Sequence, residues 1–200
     1  FLSLIMFIFL NIKTIAKQFK GIKGKTWTIL FGIFLLGFIL RIFVFPHMHL
    51  MYIDEPLYLE QAKNMNEKQQ PVMCRYTISG TENCWIWAPK PIGWPFLISI
   101  VFLVFGLNNY YALYFSSILG SFSIILIFLL SYLVFNKQKI GLWSAFFLAL
   151  TPLHILWSNS AETNNISTFF VLVTMISFIV YMKSRERSMF ILTAICLIFT

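Results

Sequence analysis

The sequence predicts an all-α integral membrane protein, a polytopic bundle of transmembrane helices with an outer loop that carries juxtamembrane amphipathic helices. Three observations predict this fold. Of the 200 residues, 59% are hydrophobic and only 11% are charged, whereas charged residues make up roughly 25% of an average soluble protein. The mean hydropathy is +0.81. Apolar runs of roughly 16 to 25 residues recur along the chain. These values exclude a soluble enzyme, a disordered tail and a nucleic-acid-binding module, and they make the lipid bilayer the expected surroundings.

The positive charges fall in clusters between the apolar runs and therefore indicate topology. The first clear span covers residues 27–46, and five lysines precede it: Lys13, Lys17, Lys20, Lys23 and Lys25. By the positive-inside rule that end is cytoplasmic, so an outer loop of about residues 47–109 follows. Residues 1–26 form a separate segment, in which the apolar residues 1–12 are too short to assign. The chain starts without Met and ends inside an apolar run, so we expect residues 27–200 to be the N-terminal part of a longer domain.

The later apolar runs cover residues 92–107, 110–135, 140–157 and 166–182, and a last run starts at Met189. Two of their connections, residues 136–139 and 183–187, are basic. These connections and the N-terminal lysines share one side of the membrane only if one run does not cross. The shortest complete run, residues 92–107, starts with prolines and with Trp85, Trp87 and Trp94 nearby, which suits the headgroup level. We predict that it lies at the outer interface or re-enters the membrane, with a short spanning helix as the alternative.

The only aspartate of the chain, Asp54, stands beside Glu55 just after the first span. Asp54 suits a helix N-cap and a proline follows in the first turn, so residues 55–65 are predicted to form a short amphipathic helix on the membrane. Tyr58 and Ala62 would share a face with Asp54. The two carboxylates either cap this helix and complement its dipole or form an acidic site, and their spacing leaves both interpretations open.

Cysteine and histidine residues add two further expectations. Cys74 and Cys84 lie in the outer loop and can close a disulfide if the compartment is oxidising, or stay as thiols. Cys196 lies in the last apolar run and is predicted to be a buried thiol. His47 and His49 point apart on a helix, and further ligands do not follow at a metal-site spacing. We therefore predict no metal and no cofactor, with a bound divalent ion as the alternative.

Four patterns follow one another along the chain, and their order carries a resemblance. They are Arg41 with Asp54-Glu55-x-x-Tyr58 and Ala62, then Lys90-Pro91-Ile92-Gly93-Trp94-Pro95, then Phe105-Gly106-Leu107-Asn108-Asn109 before a span with Gly120, then Pro152-Leu153-His154 with Glu162. Over residues 27–182 the chain resembles the polyprenyl-phosphate-sugar-dependent glycosyltransferases of the membrane-embedded C type. It is similar in particular to the dolichyl-phosphate-mannose protein mannosyltransferases and the bacterial lipid A aminoarabinose transferases. One departure is Tyr114, since members often carry an arginine near this start of the long span.

The resemblance implies that residues 27–200 are part of a glycosyltransferase domain. By the same resemblance, this domain is expected to move a sugar from a polyprenyl-phosphate donor to a protein, lipid or glycan acceptor on the outer face of the cell membrane. Such a reaction needs a base for the acceptor proton and positive charge for the phosphate leaving group. Asp54 is the expected base, and Glu55 orients the acceptor or shares the role. Lys90, Arg75 and Arg41 are candidates for the phosphate, although Arg41 is expected rather to snorkel to the interface from the end of its helix.

Three further residues have expected roles. Glu162, in the polar turn of residues 158–165, either binds substrate or a metal or is a solvated loop carboxylate. Tyr58, together with Trp85 and Trp87, can stack on sugar or prenyl groups, and anchoring at the interface is the alternative for the two tryptophans. His154, on an apolar helix before the turn, is expected to be a satisfied interior histidine.

Two other functions compete with this one. A transporter or a non-catalytic membrane subunit would use Arg41, Glu162 and the outer carboxylates to line a solute path. The nearly apolar centres of the later spans argue against that path. An oligosaccharyltransferase of the same architecture would use a pyrophosphate-linked donor and a metal, and the small number of acidic residues argues against it.

Overall fold

The computed structural model describes residues 11, 13–47, 54–76, 82–86 and 92–197. A short helical segment, α1, covers residues 13–18. The elements that follow are α2 (Gly24–Ile39) with a π-helical turn (Leu40–Val44), α3 (Asp54–Glu67), β1 (Val72–Tyr76), β2 (Glu82–Ile86), α4 (Gly93–Phe105), α5 (Asn109–Phe135), α6 (Gln138–Leu150), α7 (Pro152–Ser158), α8 (Thr163–Ser184) and α9 (Arg187–Leu197). The chain is therefore an all-α polytopic membrane protein, and its described residues include one small β-hairpin that the sequence analysis did not predict.

Three helical stretches in the described part of the chain are long and apolar enough to cross a membrane. They are Gly24–Val44 with 21 residues, Asn109–Phe135 with 27 and Thr163–Ser184 with 22, and a spanning helix needs about 20 residues. Core side chains such as Ile124 and Phe128 are fully buried between the helices, whereas Phe31 and Trp143 remain 64% and 60% exposed. Large apolar side chains on the outside of a bundle suit contact with lipid.

A fourth candidate span covers the apolar run of residues 140–157 and is broken into two helices. The helices α6 and α7 meet at an angle of 62°. Pro152 begins α7 and has no N–H to continue the helix, and its ring disfavours a helical conformation of the residue before it. Thr151 accordingly adopts extended angles, with φ −64° and ψ 113°. Counted as one span, this bent pair brings the number of crossings to four.

The three basic clusters lie at one end of the bundle, which we call the basic end and define by residues 13–25, 136–139 and 183–187. Gln138 at the start of α6 accepts a hydrogen bond from Thr26 Oγ1 at the start of α2. At the end of α8, Lys183 donates to the carbonyl oxygen of Leu133 near the end of α5, at 3.0 Å. The positively charged connections therefore share one end, as the charge pattern predicts.

The opposite end, the loop end, comprises His47, the loop residues 54–76 and 82–86, Asn108 and the turn of residues 158–162. Both ends of α4 lie here. Trp94, near its start, donates to the carbonyl oxygen of Ala161 at 2.7 Å, and Gly106, φ 97°, leads directly to Asn108, which caps α5. The 13 residues of α4 reach about 20 Å, against about 30 Å for the hydrocarbon core. This placement agrees with the prediction that residues 92–107 do not cross.

The loop itself is folded. The predicted helix over residues 55–65 is present as α3, one or two residues longer at each end. Strands β1 and β2 pair antiparallel with Cys74 opposite Cys84, and these two cysteines form a disulfide. Of the two alternatives that the sequence left open, a disulfide or two free thiols, the structure therefore has the disulfide. Cys196 is a free, buried cysteine, as predicted.

Candidate active site at the loop end

The start of α3 presents the acidic pair in two different environments. Asp54 is half-buried, whereas Glu55 and Tyr58 are only 1% and 3% exposed. Positions 55, 58, 59 and 62 recur at helical spacing and make the face that α3 turns towards α4. Asp54 is thus the carboxylate of the pair that solvent can reach, and Glu55 lies behind it inside the fold.

Side chains on α3 hold this helix to the hairpin and to α4. The Nδ2 group of Asn64 donates to the carbonyl oxygen of Val72 at 2.8 Å, and Glu60 accepts from the backbone N–H of Cys74 at 2.9 Å. On the other side, Asn66 donates to the carbonyl oxygen of Ser99 at 2.8 Å. These bonds satisfy backbone groups of a loop that would otherwise lack partners, and they hold Asp54 on a fixed helix.

Tyr58 lies in the hydrophobic core together with Trp94. Trp94 stacks on Phe115, with ring centroids 6.0 Å apart, and its indole N–H reaches Ala161. Through α4, the helix that carries Asp54 is therefore joined to the turn that precedes Glu162. Glu162 is 5% exposed, so the interpretation of a solvated loop carboxylate is wrong.

A buried cluster of small polar side chains lies beneath this turn. Ser117 donates to Asn159 Oδ1 at 2.8 Å, and Asn165 Nδ2 donates to the carbonyl oxygen of Ser116 at 2.6 Å. The hydroxyl of Ser158 faces Asn165 Oδ1 at 3.3 Å. Each of these five side chains is at most 3% exposed. Such a network fixes the turn, because buried polar groups are costly unless they are paired.

His47 joins this cluster from the end of the first span. Its Nε2 lies 3.0 Å from Ser117 Oγ, and the single proton of Ser117 is directed to Asn159 or to the carbonyl oxygen of Ser158. With that proton so directed, the His47 contact requires a donor at Nε2. Its ring also lies 4.3 Å from that of Tyr114 near the start of α5. Burial lowers the pKa of His47 below its usual 6.5.

Arg41 does not snorkel, and that prediction is wrong. Its side chain is fully buried. Its guanidinium donates to the carbonyl oxygens of Leu148 at 3.1 Å, Ala149 at 3.2 Å and Gly37 at 2.9 Å. The remaining N–H groups face Ser158 Oγ at 3.3 Å and His154 Nδ1 at 2.9 Å. All five N–H groups have partners, so a phosphate would have to displace one of them.

The bend between α6 and α7 explains this use of Arg41. Leu148 would normally bond to the N–H of residue 152, which is proline. Arg41 supplies that donor, since a backbone carbonyl at membrane depth must be satisfied within the protein. A lone arginine in a span, followed by Thr-Pro inside a later apolar run, was the sequence signal for this contact.

His154 is only partly the satisfied histidine that was expected. Its Nδ1 faces an Arg41 N–H and so must be the acceptor. Within the described part of the chain, its buried Nε2 has no hydrogen-bond partner. One ring nitrogen of His154 is therefore hydrogen-bonded to Arg41, and the other is the nitrogen for which the expectation fails.

Some expected site residues cannot be placed. Lys90, Trp87, His49 and the side chain of Arg75 lie outside the described residues, while Trp85 is half-buried in β2. Within the described ranges, no group of three or more His, Cys, Asp or Glu side chains is arranged to hold a metal ion. The absence of a cofactor stays a prediction.

The fold and the loop end define an integral membrane protein that holds a partly exposed carboxylate at one end of its bundle. The sequence pattern of the dolichyl-phosphate-mannose-protein mannosyltransferase family matches residues 89–199, more than half of the chain. The chain belongs to this family of membrane glycosyltransferases, which confirms the resemblance and favours an enzyme over a transporter. No curated protein and no solved structure matches it. The matched residues include Lys90 and Glu162, whereas Asp54 and Glu55 precede them.

Proposed function

We propose that the protein transfers a sugar from a polyprenyl-phosphate donor to an acceptor hydroxyl on the outer face of the membrane, with Asp54 as the base. The observation that carries this proposal is the position of the acidic pair. Asp54 is half-buried at the start of α3 and Glu55 is buried directly behind it. Both lie at the end of the bundle opposite the basic end.

Two independent features support an outer position of this loop end. The basic end holds ten of the fifteen lysines and arginines, and positively charged connections stay in the cytoplasm. The loop end holds the disulfide between Cys74 and Cys84, and disulfides persist in oxidising compartments outside the cytoplasm. Charge and redox chemistry therefore favour the same orientation.

The proposed reaction is an inverting displacement at the anomeric carbon. The acceptor oxygen attacks the anomeric carbon, its proton passes to Asp54, and the bond between that carbon and the phosphate oxygen breaks. Polyprenyl phosphate leaves with the electron pair. Because its negative charge grows in the transition state, nearby cations accelerate the step. We assign that charge to Lys90 and Arg75, and we give Arg41 a positioning role through the bend at Pro152.

The other predicted residues take supporting roles in this proposal. Glu55 orients the acceptor from behind Asp54. Glu162 binds substrate at the turn that Trp94 joins to α4, where its burial supports a site shielded from water. Tyr58 packs one turn after the acidic pair and positions the start of α3.

Replacing Asp54 tests the assignment. We expect Asp54→Asn to lower transfer from dolichyl-phosphate mannose to a hydroxyl acceptor, in membranes that contain the protein, by about 100-fold or more. The amount of folded protein should not change. The matched control is Glu67→Gln on the same helix, whose exposed carboxylate pairs with Lys63 at 3.8 Å. Undiminished transfer by Asp54→Asn would show that Asp54 is not the base.

A further inference from the structure

A groove on the outside of the bundle lies between α2 and α6, away from the proposed active site. It has a volume of about 400 Å³ and is lined by Ile29, Ile33, Leu142, Trp143 and Phe146, with Lys139 at its mouth. Trp143 is 60% exposed and Ile29 is 44% exposed. The two helices run in the same direction, from the basic end towards Arg41. The groove therefore opens sideways into the hydrocarbon of the bilayer.

A second cavity of about 490 Å³ continues this groove at the basic end, and its lining is partly polar. It shares Ile29, Leu142 and Lys139 with the groove and adds Lys23, Lys25 and Lys137. All four lysines are exposed. None of the described residues that line this cavity is acidic. The mouth of an apolar groove is thus surrounded by positive charge that its own lining does not neutralise.

Hydrogen bonds hold this mouth together. Gln138 accepts from Thr26 Oγ1 and from the backbone N–H of Lys23, the latter at 3.4 Å, and its amide donates to the carbonyl oxygen of Gly21 at 3.0 Å. The starts of α2 and α6 are thereby kept side by side. Their positive dipole ends add to the field of the lysines. From Lys139 to Phe146 the groove follows α6 for about 10 Å, at about 1.5 Å per residue.

We infer that this groove and its lysine mouth bind one anionic phospholipid of the surrounding bilayer. The acyl chain lies against Trp143 and Phe146, and the headgroup phosphate lies among Lys23, Lys25, Lys137 and Lys139. Charge complementarity selects this occupant, because an anionic headgroup is attracted to each nearby lysine. Depth supports it as well, since the lysines are at the membrane surface and the aromatic side chains are within the hydrocarbon. One molecule with a charged head and an apolar tail fills both parts.

The test compares two lipids on the purified protein in detergent. Dioleoylphosphatidylglycerol and dioleoylphosphatidylcholine are titrated separately, and bound lipid is counted by native mass spectrometry. We expect the anionic lipid to bind at least tenfold more tightly. The double variant Lys137→Gln/Lys139→Gln should lose about tenfold of that affinity. The matched control is Lys17→Gln/Lys20→Gln, which removes two exposed charges from the same end but outside the cavity, and it should change affinity less than about twofold.

A second variant tests the groove without changing charge. Trp143→Ala removes an exposed wall and should weaken binding of the anionic lipid by about threefold or more. Its folding is checked from the thermal unfolding midpoint. Inorganic phosphate added at millimolar concentration should not displace the lipid, because phosphate lacks the chain.

Four results would each overturn the inference. The two lipids could bind equally, or the control could lose as much affinity as the lining variant, which would indicate only a general attraction to the basic end. Trp143→Ala could bind the lipid unchanged, or phosphate could displace it completely, either of which would leave the groove without a role. None of these results bears on transfer by Asp54, so the two proposals fail separately.

Discussion

At the scale of single residues, Arg41 supplies hydrogen-bond donors to carbonyl oxygens that a proline leaves without their usual partner. It bonds to Leu148 and Ala149 at the end of α6 and does so from a fully buried position. A cation at the C-terminal end of a helix also interacts favourably with the helix dipole. The arginine and the bend are therefore expected to depend on each other.

This dependence predicts a coupled loss of stability. Arg41→Ala leaves buried carbonyls without donors and should lower the free energy of unfolding by about 3 kcal/mol or more. In a Pro152→Ala background the loss should be smaller, because residue 152 then offers its own N–H to Leu148. Unfolding in detergent measures both losses, with exposed Arg187→Ala as the control. Equal losses in the two backgrounds would contradict the proposed link.

His47 predicts a dependence of stability on pH. Burial lowers its pKa in the folded protein below 6.5, so the unfolded chain takes up a proton first as the pH falls. The stability contributed by neutral His47 is complete above about pH 6.5 and is lost as the pH falls towards the lowered pKa. The thermal unfolding midpoint should therefore decrease when the pH is lowered below about 6.5. The variant His47→Gln should show a smaller decrease over the same pH range. A drop of equal size in the variant would assign it to other groups.

At the scale of elements, helix contacts depend on where glycine allows close approach. A Cβ added at Gly120 of α5 would meet Ser158 Cβ at 2.8 Å and Asn165 Oδ1 at 2.9 Å. At Gly32 of α2, nothing lies within 4 Å. The buried polar cluster below the turn of residues 158–162 thus requires that α5 carry no side chain at position 120.

The two glycines make a matched pair of substitutions. Gly120→Ala should lower the free energy of unfolding by about 1–3 kcal/mol, because overpacking displaces Ser158 and Asn165. Gly32→Ala should be neutral or slightly stabilising, since alanine has the higher helix propensity. Thermal unfolding of the two variants in the same detergent provides the measurement. Similar midpoints for both would show that α5 and α7 do not approach closely in solution.

At the scale of the whole molecule, the arrangement of charge and the non-crossing helix α4 together determine the orientation. If α4 stays at the loop end, then Glu67, Asn109 and Asn164 lie on one side of the membrane and Lys137 lies on the other. If α4 crossed, Asn109 would lie opposite Glu67. The proposed position of the active site on the outer face therefore depends on whether α4 crosses the membrane.

Labelling of single cysteines decides between the two arrangements. In a Cys196→Ser background, in which Cys74 and Cys84 stay paired, a single cysteine replaces each of Glu67, Asn109, Lys137 or Asn164 in turn. All four positions are exposed. We expect a membrane-impermeant reagent added outside to label positions 67, 109 and 164, and position 137 only after the membrane is opened. Labelling of position 109 from the cytoplasm would show that α4 spans the bilayer.

The sequence alone determined the class of protein, the spans and the shared end of the basic clusters. Each of these follows from a property that sums over many residues, namely hydrophobicity along a span of about 20 residues and the count of lysine and arginine in each connection. The helix after Asp54 was also predictable, because capping residues and helical spacing are local signals. The order of four motifs was sufficient for the family.

Only the tertiary structure decided what the single polar side chains contact. Arg41 was expected at the interface and instead bonds to carbonyl oxygens at the bend before Pro152. Glu162 was a solvated carboxylate in one interpretation and is buried. Cys74 and Cys84 could have stayed as thiols and instead form a disulfide. These outcomes depend on which residues distant in the chain come together, and hydrophobic periodicity does not contain that information. The physical reason is that a buried polar group needs a partner, and in a bundle the partner comes from another helix.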